Sequence, residues 1–162
     1  MLAVGLPLVD SAVSTRHTAA AGSTTNVGLG VHITPNSAWS AVRHSDGQSH
    51  RAQFTRAGAL ITISGVSYAG SLREAYDRLS RTLTSQDGVQ VTSDPQTITT
   101  TGGLVGIASS FAGPAAQGFF AVFTAHGVLA VVIAESPPAA FHAVAGDMLA
   151  MLGSVEIGAA GT

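Results

Sequence analysis

Hydrophobic and polar positions fall into two rhythms along this chain. Between Val27 and Tyr68, apolar residues come in short runs that alternate with polar ones or stand continuous, each closed by turn-forming residues. "VGLGVHITP" reads as one strand ending at Pro35, after which Asn36-Ser37 turns the chain into a second run beginning at Trp39. Asp46-Gly47 centres the next turn, "SDGQ", because both residue types tolerate the left-handed backbone of a tight turn. "SHRAQFTR" and "ALITISGVSY" follow, joined at Ala57-Gly58. Four short strands in succession predict an antiparallel meander.

The period changes to that of a helix in "SLREAYDRLSRTLTSQDG". Ser71 and Glu74 have the spacing of a capping box, in which each satisfies a backbone N–H that the helix leaves without a partner. Leu72, Ala75, Tyr76, Leu79 and Leu83 then share one face. Arg73, Asp77, Arg78 and Arg81 occupy the other, a solvated face on which Glu74 stands four residues before Arg78 as an expected ion pair, and Gly88 is placed to end the helix. Strand patterns return in "VQVTSD" and "QTITTTGGLVGIASSFAG". Ser136 as cap and Pro137 in the first turn open a second helix, whose Phe141, Val144, Ala145, Met148, Leu149 and Leu152 line up before Gly153 ends it. "SVEIG" is a short last strand. Strands and helices do not alternate as βαβ units, so the expected class is α+β, a mainly antiparallel sheet with helices packed on it.

Two apolar stretches bear on membranes. "GFFAVFTAHGVLAVVIA", residues 118–134, is uncharged over 17 positions, yet Val, Phe and Ile dominate it, His126-Gly127 sits at its middle, and no Lys or Arg follows to flank it. A hairpin turning at His126-Gly127, with the glycine taking φ > 0, accounts for that pattern. At the N-terminus, "LAVGLPLV" falls far short of the roughly 20 residues of a bilayer-crossing helix and has no basic segment before it. The small, polar "SAVSTRHTAAAGSTTN" that follows has no helical or strand period and reads as a flexible tether. Two readings of the apolar stub stay open: the outer end of a membrane anchor, or an N-terminal strand or tail docking on the domain. The expected organisation is an apolar stub over 1–10, a tether over 11–26, a single α+β domain over 27–158 and a short tail over 159–162.

Composition narrows the function classes. A chain of 162 residues that is 46% hydrophobic has enough apolar material for one core. Only 10% of residues are charged, against roughly a quarter in typical domains, so Ser, Thr, Gly, Ala and Gln must make much of the surface. All seven basic residues are arginines between Arg16 and Arg81, whereas the second half carries only the acids Asp87, Asp94, Glu135, Asp147 and Glu156. With a net charge of −2 and scattered arginines, there is no nucleic-acid footprint. Cysteine is absent, which excludes disulfides, a thiolate nucleophile, a cysteine-based zinc site and lipid attachment through a thiol.

Constellations for catalysis are sparse. No G-x-S-x-G elbow occurs, and "ISG" at 63–65 lacks the preceding glycine. Gly102, Gly103 and Gly106 in "TTGGLVGIASS" run into a strand pattern with no Gly-Lys-Ser/Thr, so a hairpin turn is expected there rather than a phosphate cradle. His32, His44, His50 and His126, with Asp46 between two of them, are residue types that zinc takes. No pair of them has the spacing of a metal motif, and "RHSDGQSH" reads first as a polar hairpin. His17 falls in the tether and His142 on the polar side of the last helix. Most of the nine acids sit at turns and helix surfaces, without a facing carboxylate pair. No catalytic residue, cofactor or metal ligand is assigned, and the chain is expected not to be an enzyme.

The strand, proline turn and tryptophan of "VHITPNSAW", the meander, the Ser-capped "SLREAYDRLSRTL", the long hairpin and the terminal helix before a short strand together resemble the PsbP-like α/β/α sandwich. In particular they resemble the actinobacterial branch that includes LpqN-type envelope proteins, and the lysine-free, alanine-rich composition is similar to that of high-GC actinobacteria. The likeness covers residues 27–158. It implies an extracytoplasmic domain that binds proteins or small ligands and has no catalytic residues to carry over. The lipid-bearing cysteine of the lipoprotein members is missing, which leaves a transmembrane anchor as the substitute.

The expected function is a non-enzymatic interaction domain of the cell envelope, membrane-anchored or secreted, that binds an envelope or membrane protein and touches the membrane only through its N-terminal segment. The alternative is a carrier of a small apolar ligand or lipid, held in an apolar cleft between sheet and helix. Trp39, Arg43, Arg51, Tyr68, Tyr76 and Phe141 are the candidate contacts for partner or ligand, with core packing as the competing role of the aromatics.

Overall fold

The computed structural model describes residues 17–19, 23–35, 39–46 and 49–159. Its strands are β1 His17–Ala19, β2 Thr25–Gly28, β3 Val31–Ile33, β4 Trp39–Asp46, β5 Ser49–Arg56, β6 Ala59–Ser67, β7 Gln90–Val91, β8 Gln96–Thr99, β9 Val105–Ala112, β10 Gln117–Ala125, β11 Val128–Ser136 and β12 Glu156–Ile157. The helices are α1 Leu72–Thr84 and α2 Phe141–Leu152. Nine strands form one antiparallel sheet in the order β1-β4-β5-β6-β11-β10-β9-β7, with β8 also paired to β9, and β12-β3-β2 form a second, small sheet. The α+β class with a mainly antiparallel sheet is therefore observed, although the last strand closes the small sheet rather than the large one.

Burial on both faces explains the long apolar run at 118–134. β10 and β11 pair from Gln117↔Ser136 to Ala125↔Val128 in the middle of the large sheet. Ala121 and Phe123 point into one core and Phe120 and Val122 into the other, so every position meets protein and the period of two vanishes. α1 covers one face over β7, β9 and β10. α2 packs on the opposite face over β6, β10 and β11, and the small sheet shares that core through Val27, Val31, Ile33 and Ile157.

Three hairpins turn on a two-residue loop whose second residue is glycine and in which both residues have positive φ: Leu29-Gly30 at 55° and 82°, Ala57-Gly58 at 50° and 84°, His126-Gly127 at 53° and 73°. This handedness of turn matches the twist of the strands it joins. The second and third turns fall where the pattern predicts. The first does not: "VGLGVHITP" is the β2–β3 hairpin, not one strand, because its apolar run hides a Leu-Gly turn.

The capping box of α1 forms as expected. Glu74 N–H donates to Ser71 Oγ at 3.1 Å and Ser71 N–H to Glu74 Oε2 at 3.3 Å. With Glu74 so engaged, the ion pair on the outer face is Arg73–Asp77 at 3.2 Å rather than Glu74–Arg78, and the helix stops at Thr84, ahead of Gly88. α2 departs further from expectation. Ser136 ends β11, a 3-10 turn over Pro138–Ala140 leads into the helix, and no side chain caps it. Its buried residues are Val144, Met148, Met151 and Leu152, while Leu149 is 49% exposed. Apolar residues lie nearly all round this helix, so its own sequence leaves its rotation open.

β1 pairs with β4, His17 opposite Ala41, and carries the sheet back into the 11–26 stretch read as a tether. An edge strand held by backbone bonds needs no hydrophobic period. Residues 1–16, the Asn36-Ser37 turn and the two residues after Asp46 lie outside those described; on either side of the latter gap Asp46 and Ser49 pair. No helix among the described residues is long and apolar enough to cross a membrane.

Candidate binding cleft

Where the sheet continues past α2 to β9 and β8, a cleft opens. Ala108 and Ser110 of β9 and Phe119 of β10 line its floor, α2 contributes Phe141, Leu149 and Leu152, and Ser93, Gln96 and Ile98 stand on the far side. It has two lobes of about 200 and 220 Å³, both lined by Ser110 and Phe119 and neither by any charged residue. The rings of Phe119 and Phe141 lie 5.4 Å apart, tilted against each other. On the rim, Leu149 is about half in water.

The floor depends on a break in the sheet. The outer edge of β9 is served by two short strands, β7 opposite Phe111 and Ala112, and β8 opposite Val105 to Ala108. Between them the Ser110 carbonyl accepts from Thr92 N–H at 2.8 Å, and Ser110 N–H donates to the Ser93 hydroxyl at 2.9 Å. The Ser93 side chain thus replaces the carbonyl of a missing ladder position, and the floor carries no orphaned amide there. The width is held at one end, where Thr101 donates through its N–H at 2.9 Å and its hydroxyl at 3.1 Å to Gly153 O, just past α2.

Of the six residues expected to meet a partner or ligand, Phe141 alone lines this cleft. Trp39 is fully enclosed in the core shared with α2, where its indole N–H has no acceptor among the described residues. Tyr76 is buried under α1, stacked on Phe120 with ring centroids 5.5 Å apart. Both aromatics are packing residues with no surface to offer a ligand. Tyr68 donates to Ser71 O at 3.0 Å and borders a shallow, open hollow of about 320 Å³ beside His126. Arg51 is exposed on the opposite side of the sheet from the cleft, and Arg43 pairs through its backbone with Ala52, its side chain lying outside the description. Sequence reasoning missed Phe119, which was read only as part of the hairpin, and Leu149, which was read only as one of the apolar face of the second helix; the signal for Ile98 was its place as a lone aliphatic among the threonines of "QTITT".

The histidines do not converge among the described residues. His32 Nδ1 lies 2.9 Å from Gly30 O, the His50 ring packs so closely on Gly28 that a Cβ there would overlap it, and His126 is exposed in its turn. No group of three His, Cys, Asp or Glu is placed to hold a metal among the described residues. Desolvation raises one carboxyl, that of half-buried Glu135 on the α1 side of β11, away from the cleft.

No family model matches the chain, and no curated protein sequence matches it. In fold it is similar to the solution structure of cyanobacterial PsbP (CyanoP) from Synechocystis sp. PCC 6803, at 12% sequence identity over 96% of this chain and 98% of that one, with a TM-score of 0.60. The architecture is a PsbP-like α+β fold.

Proposed function

We propose that the chain is a non-enzymatic binding domain that holds apolar side chains of a protein partner in the cleft between α2 and β8–β9. The observation that carries this reading is Leu149, an aliphatic side chain about half in water beside a preformed, uncharged, two-lobed cleft whose nearer lobe is mainly apolar and gains free energy when covered. The cleft stays open to solvent, which suits side chains presented by a partner better than a carried lipid, since ligand cavities enclose most of their occupant. A lining of apolar, Ser, Thr and Gln residues supports binding over catalysis, because it offers no acid and base to move a proton.

The same proposal puts the domain outside the cell membrane, with an envelope or membrane protein as its partner. Support comes from the PsbP-like fold and from the resemblance to actinobacterial LpqN-type envelope proteins. A photoreactive phenylalanine analogue at Leu149, compared with one at Arg78 on the exposed side of α1, tests the reading in the producing cells. A discrete protein adduct from position 149 that position 78 does not give is expected. Equal background at both positions, or lipid as the main adduct, would refute it.

A further inference from the structure

A second part of the large sheet is only partly covered. α1 lies over β7, β9 and β10, its core reaches Val66 of β6 and Val131 and Ile133 of β11 at its margin, and on its side of the sheet β5 and β6 continue beyond it. The alternation that sends Phe54, Ile61, Ile63 and Val132 into the core turns Arg51, Gln53 and Thr55 of β5, Leu60, Thr62, Ser64 and Val66 of β6, and Val131, Ile133 and Glu135 of β11 to this face. Each of these side chains is exposed or half-buried. Gln53 Nε2 donates to Thr62 Oγ1 at 3.4 Å across its centre, and half-exposed aliphatic residues flank that polar row.

Among the described side chains on this face of the three strands there is one base, Arg51, and one acid, Glu135. Register puts them on a diagonal. Arg51 is level with Ser64 and Val131, whereas Glu135 is level with Leu60 and Thr55. They therefore stand two strands and four residues apart, about 10 Å across and about 13 Å along the strands. A two-fold axis lying in the contact plane and bisecting that diagonal brings each charge of one copy over the opposite charge of the other, the self-complementarity that a closed dimer requires.

We infer that this face is a dimerisation surface, on which two copies pack sheet against sheet and Arg51 of each pairs with the partner's Glu135. Opposite charges at the two ends of the diagonal fix the register and repel a copy docked the other way. Burial within one chain already pushes the Glu135 carboxyl up; a guanidinium placed against it offsets that cost. The cleft beside α2 lies on the other side of the sheet and stays accessible in such a dimer, so the two readings stand or fall separately.

Sedimentation velocity of the full chain over a wide concentration range tests the inference. The expected result is a monomer–dimer equilibrium weakened at least tenfold by Arg51→Glu or by Glu135→Arg, and weakened by salt. An equimolar mixture of the two single variants, one bringing two acids and the other two bases to the face, forms the dimer again. A chain that stays monomeric throughout, a dimer indifferent to both reversals, or a mixture that fails to associate would each overturn the proposal. Thermal melts in dilute solution confirm that each variant is folded; should a reversal unfold the monomer, Arg51→Ala and Glu135→Gln replace it and must weaken the dimer as well.

Discussion

The hydroxyls of Tyr76 and Ser109 stand 2.6 Å apart between α1 and β9, both residues buried, and each answers the other's need for a hydrogen bond. Tyr76 is further held by its stack on Phe120 and by the Arg73 guanidinium 5.6 Å from its ring centre. Tyr76→Phe keeps the packing and strands the Ser109 hydroxyl, so it is expected to cost about 1–3 kcal/mol. Adding Ser109→Ala removes the stranded group and recovers most of that loss. Urea midpoints of the four proteins of this cycle check the coupling; additive losses would show that the two hydroxyls do not depend on each other.

At the β5–β6 turn, Ala57 adopts φ 50° ahead of Gly58, a conformation that alanine enters at a cost and asparagine tolerates. Ala57→Asn creates the Asn-Gly pair that this hairpin favours and should stabilise by roughly 0.5–1 kcal/mol, seen as a rise in melting temperature of about 1–4 °C. Gly58→Ala puts a Cβ on a backbone at φ 84° and is expected to lower it.

Neighbours on α2 separate the core from the proposed binding surface. Met148 is 1% exposed and Leu149 49%. Met148→Ala should cost about 2–5 kcal/mol by leaving a cavity, while Leu149→Ser should change stability by no more than about 0.5 kcal/mol yet abolish the partner adduct formed by a photoreactive phenylalanine analogue placed across the cleft at Gln96. Chemical denaturation and crosslinking of both variants distinguish the two roles.

Glu135 makes stability depend on pH in an unusual sense for a carboxylate. Its folded-state pKa is raised by desolvation, so between the ordinary glutamate value and the raised one the native chain holds more proton than the unfolded chain. Its contribution is then fully present below the ordinary value and is lost as pH rises through the raised one. Glu135→Gln is therefore expected to stabilise the monomer at neutral pH and to bring no gain once the medium is acid enough to protonate glutamate in both states. Denaturation of both proteins in dilute solution at the two pH values measures it, and a gain that grows on acidification would contradict the assignment.

Features that depend on a few neighbouring residues were legible in the chain. Ser71 and Glu74 predict their mutual capping because the partners are one helical turn apart, and Ala57-Gly58 and His126-Gly127 predict hairpins because the turn is made by those residues. Leu29-Gly30 obeys the same rule and went unseen inside an apolar run. The ion pair on α1 was misplaced by one residue since Glu74 has two possible partners and the cap takes it. Of the candidate contacts, Phe141 reached the cleft, whereas Trp39 and Tyr76 went to the two cores; an aromatic side chain suits either place, and nothing in its immediate sequence distinguishes them.

Class, turns, caps and the doubly buried central hairpin follow from local spacing, where the interacting atoms belong to residues close along the chain. Strand order, the small sheet that β12 closes with β2 and β3, the rotation that exposes Leu149 and buries Met151, and the diagonal of Arg51 and Glu135 follow from which surfaces meet after the chain has folded back on itself. α2 is apolar on most sides, so the sheet beneath it selects the face that is buried. Where that choice leaves Phe119, Ile98 and Ser110 half-covered beside it, packing creates a cleft lined by residues far apart in the chain.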